Sequence, residues 1–330
     1  MKSKGTRDRA ASVRARLLHL ARQRGEDFQI TLRNYLFERF LYRLGRSPVR
    51  ERFVLKGAML LRLWADQPYR STLDLDLLAH GSSDTESVSR DIAAICSTDV
   101  EDDGIRYDSS SLDVEPIRAQ DEYSGVRVVF DARLGTIRER LQVDIGFGDA
   151  VWPQAEEMEY PVALGDPAPL IRAYRPETVI AEKLEAIVSL GIRNSRIKDF
   201  FDIDYLARTE RFDRAALVEA VRRTFQRRGT PIPAEPPIGL TPEFWTQPGR
   251  DAQVRAFARR VRLATTSDSA RELGKRVAEF ALPILRAAAW DRPGQQDTPS
   301  PRVVAKLHRR IRCLPAGARR LCRVEHRTRL

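Results

Sequence analysis

The chain's 330 residues can hold one large core or two ordinary ones, and 42% hydrophobic with 31% charged residues is the balance of a globular protein. No run approaches the roughly 20 apolar residues of a bilayer span, the basic N-terminus lacks a secretory apolar stretch, and the three cysteines give no disulfide framework; a cytoplasmic protein without a membrane partner is expected. The net charge of +11 gathers at one end, where Arg302, Lys306, Arg309, Arg310, Arg312, Arg319, Arg320, Arg323, Arg327 and Arg329 face Glu325 as the only acid. Such a tail can grip nucleic-acid phosphates or be a solvated end.

Along the chain, residues 7–24 and 28–44 have helical periodicity, the second with Ile30, Tyr35, Phe37, Phe40, Leu41 and Leu44 on one stripe and Gly45 as a stop. A short strand at Phe53–Leu55, a turn at Gly57 and a helix at Ala58–Trp64 follow. "LDLDLLA" alternates like a strand, and "SDTESVSRDIAAICS" reads as a helix capped by Ser83 or Asp84. Three β-rich runs come next, "IRYDSSSLDVEPI", "YSGVRVVFDARL" and "RLQVDIGFGD". After a Pro-punctuated connection, "YPVALGDPAPLIRAYRP", the remainder is helical almost throughout, opening at Pro176 and interrupted by a loop at 229–242. No internal repeat is visible.

Asp74 and Asp76 stand two apart in a strand, so they share a face while Leu73, Leu75 and Leu77 take the other. Two carboxylates side by side repel unless solvent or a cation compensates, and Mg²⁺ takes oxygen ligands of this kind together with phosphates. An exposed strand face carrying two acids is the plainer reading. Two neighbours favour the metal: Gly57 at a strand-to-helix turn, where backbone N–H groups can approach a phosphate, and Asp144 in "LQVDIGF", a lone acid in an aliphatic run that could otherwise close a strand-end hydrogen bond. Three acids beside a Gly turn suit phosphoryl or nucleotidyl transfer, with the metals on the acids and an attacking hydroxyl oriented or deprotonated by the third.

Together "YLFERFLYRLGRSPVRERFVLKGAMLLRLW", "RSTLDLDLL", "LQVDIGFGD", "RPETVIAEKLEAI" and "RIKDFFDIDYLA" resemble the AbiEii-type nucleotidyltransferase toxins of the polymerase-β-like superfamily, over roughly positions 30–285. The resemblance implies an α/β (α+β) fold, a nucleotidyltransferase core with a mixed sheet followed by a helical half. Its parts would be N-terminal helices at 1–48, the core at 49–165, a helical domain at 166–290 and a poorly ordered basic tail at 291–330. It also implies a Mg²⁺-dependent transfer of a nucleotide from an NTP to an acceptor, the 3′ end of tRNA or another RNA, and an antitoxin partner; the basic tail, by its charge, could help to hold such an RNA.

Carried over position by position, Gly57 matches the phosphate-facing glycine, Asp74 and Asp76 the metal pair, and Asp144 the third acid. The superfamily's Gly-Ser is Gly57-Ala58 here, so Lys56, Arg70, Ser71 and Thr72 are the candidates to grip the nucleotide, with ordinary turn chemistry as the alternative for the two hydroxyls. Lys183 lies beside the apolar stripe of Ile180, Leu184, Ile187 and Val188, where snorkelling is the plain account; Lys198 and Asp202, four apart, could simply pair. The resemblance instead places Lys183, Lys198, Asp199 and Asp202 in the cleft, the lysines on phosphate oxygens and the acids positioning lysine or acceptor. Competing readings are a nucleotidyltransferase for a small molecule or a protein hydroxyl, and a non-catalytic nucleic-acid-binding protein. A zinc site of His308, Cys313, Cys322 and His326 lacks the close ligand pairs of known sites.

Overall fold

The computed structural model describes residues 4–64, 72–117, 125–260 and 269–290. The tail expected at 291–330, and the histidines and cysteines within it, lie outside the described residues.

Two helices open the chain, α1 (Lys4–Arg24) and α2 (Phe28–Arg46). Asp27 caps α2 by accepting the Gln29 amide at 2.7 Å, and Tyr35, Phe37, Phe40, Leu41 and Leu44 are buried as their stripe predicts. Gly45 does not end the helix. Ser47 does, its amide and hydroxyl both donating to the Leu44 carbonyl. Gly45 serves a close approach instead: a β-carbon there would stand 2.4 Å from the Leu170 carbonyl oxygen.

The sheet region follows: β1 (Phe53–Lys56), β2 (Leu75–Ala79), α3 (Thr85–Cys96), β3 (Ile105–Ile117), β4 (Gly125–Leu134), β5 (Ile137–Phe147), β6 (Glu156–Glu159) and β7 (Leu170–Ala173). Asp84, not Ser83, caps α3 through the Ser87 amide. The expected helix after β1 is a tighter 3-10 run, Gly57–Leu63. Among the described residues the strands form one sheet in the order β3-β4-β5-β2-β1-β7-β6. It is mixed, since β2 runs parallel to β5 and β1 parallel to β7, the other neighbours being antiparallel. This is the α/β class with the mixed sheet expected. β6 and β7 lie just before and inside the segment that reads as a connection; four residues each are too few for alternation to declare a strand.

The helical half comprises α4 (Pro176–Leu190), α5 (Ile197–Thr209), α6 (Arg214–Arg227), α7 (Pro242–Trp245), α8 (Arg250–Arg260) and α9 (Ala270–Trp290). Pro176 is the first residue of α4. The same buried apolar cluster runs from Val13 of α1 through the sheet to Leu285 of α9, so strands and helices share a core and the residues between them are held from both sides. Among the described residues no helix is long and apolar enough to cross a membrane.

Replacing Gly45 by Ala raises intrinsic helix propensity by about 1 kcal/mol, yet the crowding against Leu170 is expected to dominate and destabilise the fold by about 1–3 kcal/mol. Urea unfolding measures the sign; a more stable Gly45→Ala protein would contradict the close packing of α2 on β7.

Candidate functional site

Strand register builds the site. Across β1, β2, β5 and β4 the directly opposed residues are Lys56, Asp76, Asp144 and Arg127, and opposed residues share a sheet face. Neighbouring strands are about 4.8 Å apart, so two carboxylates stand side by side between two cations. Asp74 sits one residue before β2 begins. For that reason Leu73, expected on the strand face opposite the acids with Leu75 and Leu77, is 68% exposed while those two are buried.

Gly57 adopts φ +72°, and a β-carbon on it would lie 1.9 Å from Asp76 Oδ2. The missing side chain is what lets the Asp76 carboxylate lie against the start of the 3-10 turn. Thr72 donates its hydroxyl to Asp74 Oδ1 at 2.6 Å, which is local turn chemistry that also orients the acid. Arg70 and Ser71 lie outside the described residues.

Lys56, Gly57, Thr72, Asp74 and Asp76 line a cavity of about 290 Å³ together with Lys183, Lys198 and Asp199. Lys183 comes from α4 and is held by two fully buried acids of α5, donating to Asp199 Oδ1 at 3.0 Å and Asp202 Oδ2 at 2.7 Å. Asp202 thus pairs with Lys183 rather than with Lys198 one turn earlier. Arg196 Nε is 2.7 Å from Asp199 Oδ2, but that oxygen accepts no hydrogen bond among the described residues: the contact is Coulombic and off the N–H direction. Lys198 is exposed and has no ion-pair partner among the described residues, yet it stands close enough to Asp76 to favour its ionised form.

Asp144 is in register beside Asp76, but its carboxylate is taken. Arg127 donates Nε to Oδ1 and Nη2 to Oδ2, each at 2.8 Å, and Gln142 Nε2 lies 3.2 Å from both oxygens.

On the cavity wall, Lys56 donates to Asp149 and, at 3.3 Å, to Glu182. Arg228 reaches the same two acids at 3.5 and 3.6 Å and donates to Glu185 at 2.7 Å. Burial works against the Lys56 ammonium, but Glu182, Asp149 and Asp76 together outweigh it and raise its pKa. Burial likewise opposes the Asp149 carboxylate, which Lys56 and Arg228 hold below its usual range. Asp76 goes the other way: burial, then the neighbouring Asp74, push it from 3.8 up to about 6 despite Lys56 and Lys198.

Two crowded carboxylates on a cavity wall, one of them ionising with difficulty, are a donor set that a hard dication such as Mg²⁺ fits. Asp144, as placed, does not complete it, and among the described residues no three acidic, histidine or cysteine side chains converge as a ligand set. Sequence reasoning missed Glu182, Arg196 and Arg228, which also line the cavity. Glu182 and Arg196 lie inside "AEKL" and "RIKD", where adjacency to the chosen lysines was a signal. Arg228 and Arg127 carried none, because both act through contacts distant in sequence.

Residues 39–280 match the model of a family described as nucleotidyl transferase AbiEii toxin, type IV TA system. No curated protein matches the chain. Two solved structures are similar to it at 18% identity: JHP933 from Helicobacter pylori, over 79% of this chain and 94% of that one with a TM-score of 0.45, and a candidate nucleotidyltransferase from H. pylori, over 79% and 97% with a TM-score of 0.44.

The raised Asp76 carboxyl has a stability consequence. The folded chain binds this proton more tightly than the unfolded one, so the site costs nothing below pH 3.8 and its cost grows as pH rises, becoming full above about pH 6. Asp76→Asn is expected to raise the melting temperature above pH 6 and to leave it unchanged below pH 3.8. A variant that melts lower than the parent above pH 6 would contradict the cost of burying the Asp76 carboxylate beside Asp74.

Proposed function

Because the chain belongs to the AbiEii family of nucleotidyl transferase toxins, we propose that it transfers a nucleotide from an NTP to a hydroxyl at the 3′ end of an RNA such as tRNA, with Mg²⁺, as the toxin that a partner antitoxin counteracts. The observation that carries this reading is the cavity that joins Asp74 and Asp76 to Lys183 and Lys198. One wall suits a metal and the other suits phosphate oxygens.

Asp74 and Asp76 would hold the ion, which supplies charge neutralisation on the phosphates. The remaining work falls to the chain's own groups. Lys183, fixed between Asp199 and Asp202, is a point charge already in place, so it stabilises developing phosphate charge without reorganising. Lys198, without an ion-pair partner among the described residues, is available to the leaving pyrophosphate. Gly57 keeps the turn backbone against Asp76, and Thr72 keeps Asp74 turned toward the cavity. The acceptor oxygen bonds to the α-phosphorus as the bond to the bridging oxygen breaks, with attack in line with departure; pyrophosphate leaves and the acceptor's hydroxyl proton passes to water. The basic tail at 291–330 is a candidate to steer RNA by charge alone.

Incubated with labelled NTPs, Mg²⁺ and total tRNA, the full chain is expected to label RNA, and Asp74→Asn to abolish the labelling with the melting curve still cooperative. Label appearing only on protein or on a small molecule would overturn the RNA acceptor. Labelling unaffected by Asp74→Asn would overturn the site.

A further inference from the structure

The third acid is present but committed elsewhere. The grip of Arg127 on Asp144 is the two-pronged geometry a guanidinium favours, both distances being 2.8 Å. Gln142 covers the same edge of the carboxylate from its own strand. Together they occupy the oxygens that a dication would need. Yet Asp144 is the residue in register with Asp76, so the backbone has already placed it at the metal end of the cavity. Only the side-chain partner keeps it out.

That partner is easily moved. Arg127 stands opposite Asp144 on β4, and its side chain is 36% exposed, so a change of rotamer releases it without any backbone shift. Electrostatics gives the exchange a direction. Without a metal, three carboxylates in a row repel, and the guanidinium relieves one of them. With a dication on Asp74 and Asp76, the same guanidinium becomes the repelled group and Asp144 the attracted one. A phosphate arriving with the metal offers Arg127 an equivalent two-pronged partner.

We propose that Arg127 is a positioning residue that holds Asp144 in reserve, releasing it to join Asp74 and Asp76 at a divalent cation when substrate phosphate and metal arrive together. The proposal rests on the nucleotidyltransferase reading of the two acids. It makes the third ligand conditional on substrate, so that the chain without nucleotide is a two-carboxylate, weak metal binder.

Mn²⁺ binding to the full chain without nucleotide, followed by electron paramagnetic resonance, tests this apart from turnover. Arg127→Gln is expected to bind Mn²⁺ about tenfold tighter than the parent, the scale on which partners of metal ligands act. Asp144→Asn alone should change the parent's affinity little, whereas adding it to Arg127→Gln should remove the gain. Arg127→Lys keeps the charge but loses the two-pronged grip and should fall between; it carries the comparison if melting shows that Arg127→Gln is unfolded. An unchanged or weaker affinity in both Arg127 variants, or a marked loss from Asp144→Asn alone, would overturn the proposal while leaving the two-acid site standing. Failure of every protein, the parent included, to bind Mn²⁺ would overturn the metal reading itself.

Discussion

The carboxylate of Asp76 fills the space that a β-carbon on residue 57 would need. That steric condition ties the end of β1 to the start of β2, where the row of charges crosses the sheet. Lys56, one residue before the glycine, faces Asp76 in register; Asp76 faces Asp144, and Asp144 faces Arg127. A larger residue at 57 would push Asp76 out of the row and separate the acids from the turn that lies against them.

Around the cavity two of the lysines are already paired, each between two acids. Lys183 is bracketed by two buried acids, and Lys56 by Asp149 and Glu182. Ion pairs shielded from water hold their geometry, which is what an electrostatic catalyst requires. Asp76 is different: burial first, and then the neighbouring Asp74, raise its carboxyl to about 6. Functional sites concentrate such costs. Here the cost lies where a cation would remove it.

The elements with long periodic runs were legible from sequence: α2, α3, α4 and the three long strands stand where their patterns put them. Asp74 and Asp76 do line one cavity, but Asp74 lies before β2, so the strand rule that suggested a shared face applies to Asp76 and not to Asp74. What alternation could not reveal is partnership across strands. The commitment of Asp144 to Arg127 depends on the register of β4 against β5, which no local pattern encodes. The same holds for Lys183, whose plain reading as a snorkelling side chain gives way to a grip by acids of another helix. Gly45 misled for a related reason: a glycine near a helix end reads as a stop, but this one is placed for the strand that packs on it.

In the proposed reaction one cavity would hold the triphosphate between the lysines of the helical half and a cation on the acids of the sheet. A crystal structure of the full chain with Mg²⁺ and a non-hydrolysable NTP analogue tests it most directly. Phosphate oxygens on Lys183 and Lys198 and the ion on Asp74 and Asp76 are expected. An analogue bound elsewhere, or phosphates in the cavity that touch neither lysine, would contradict it.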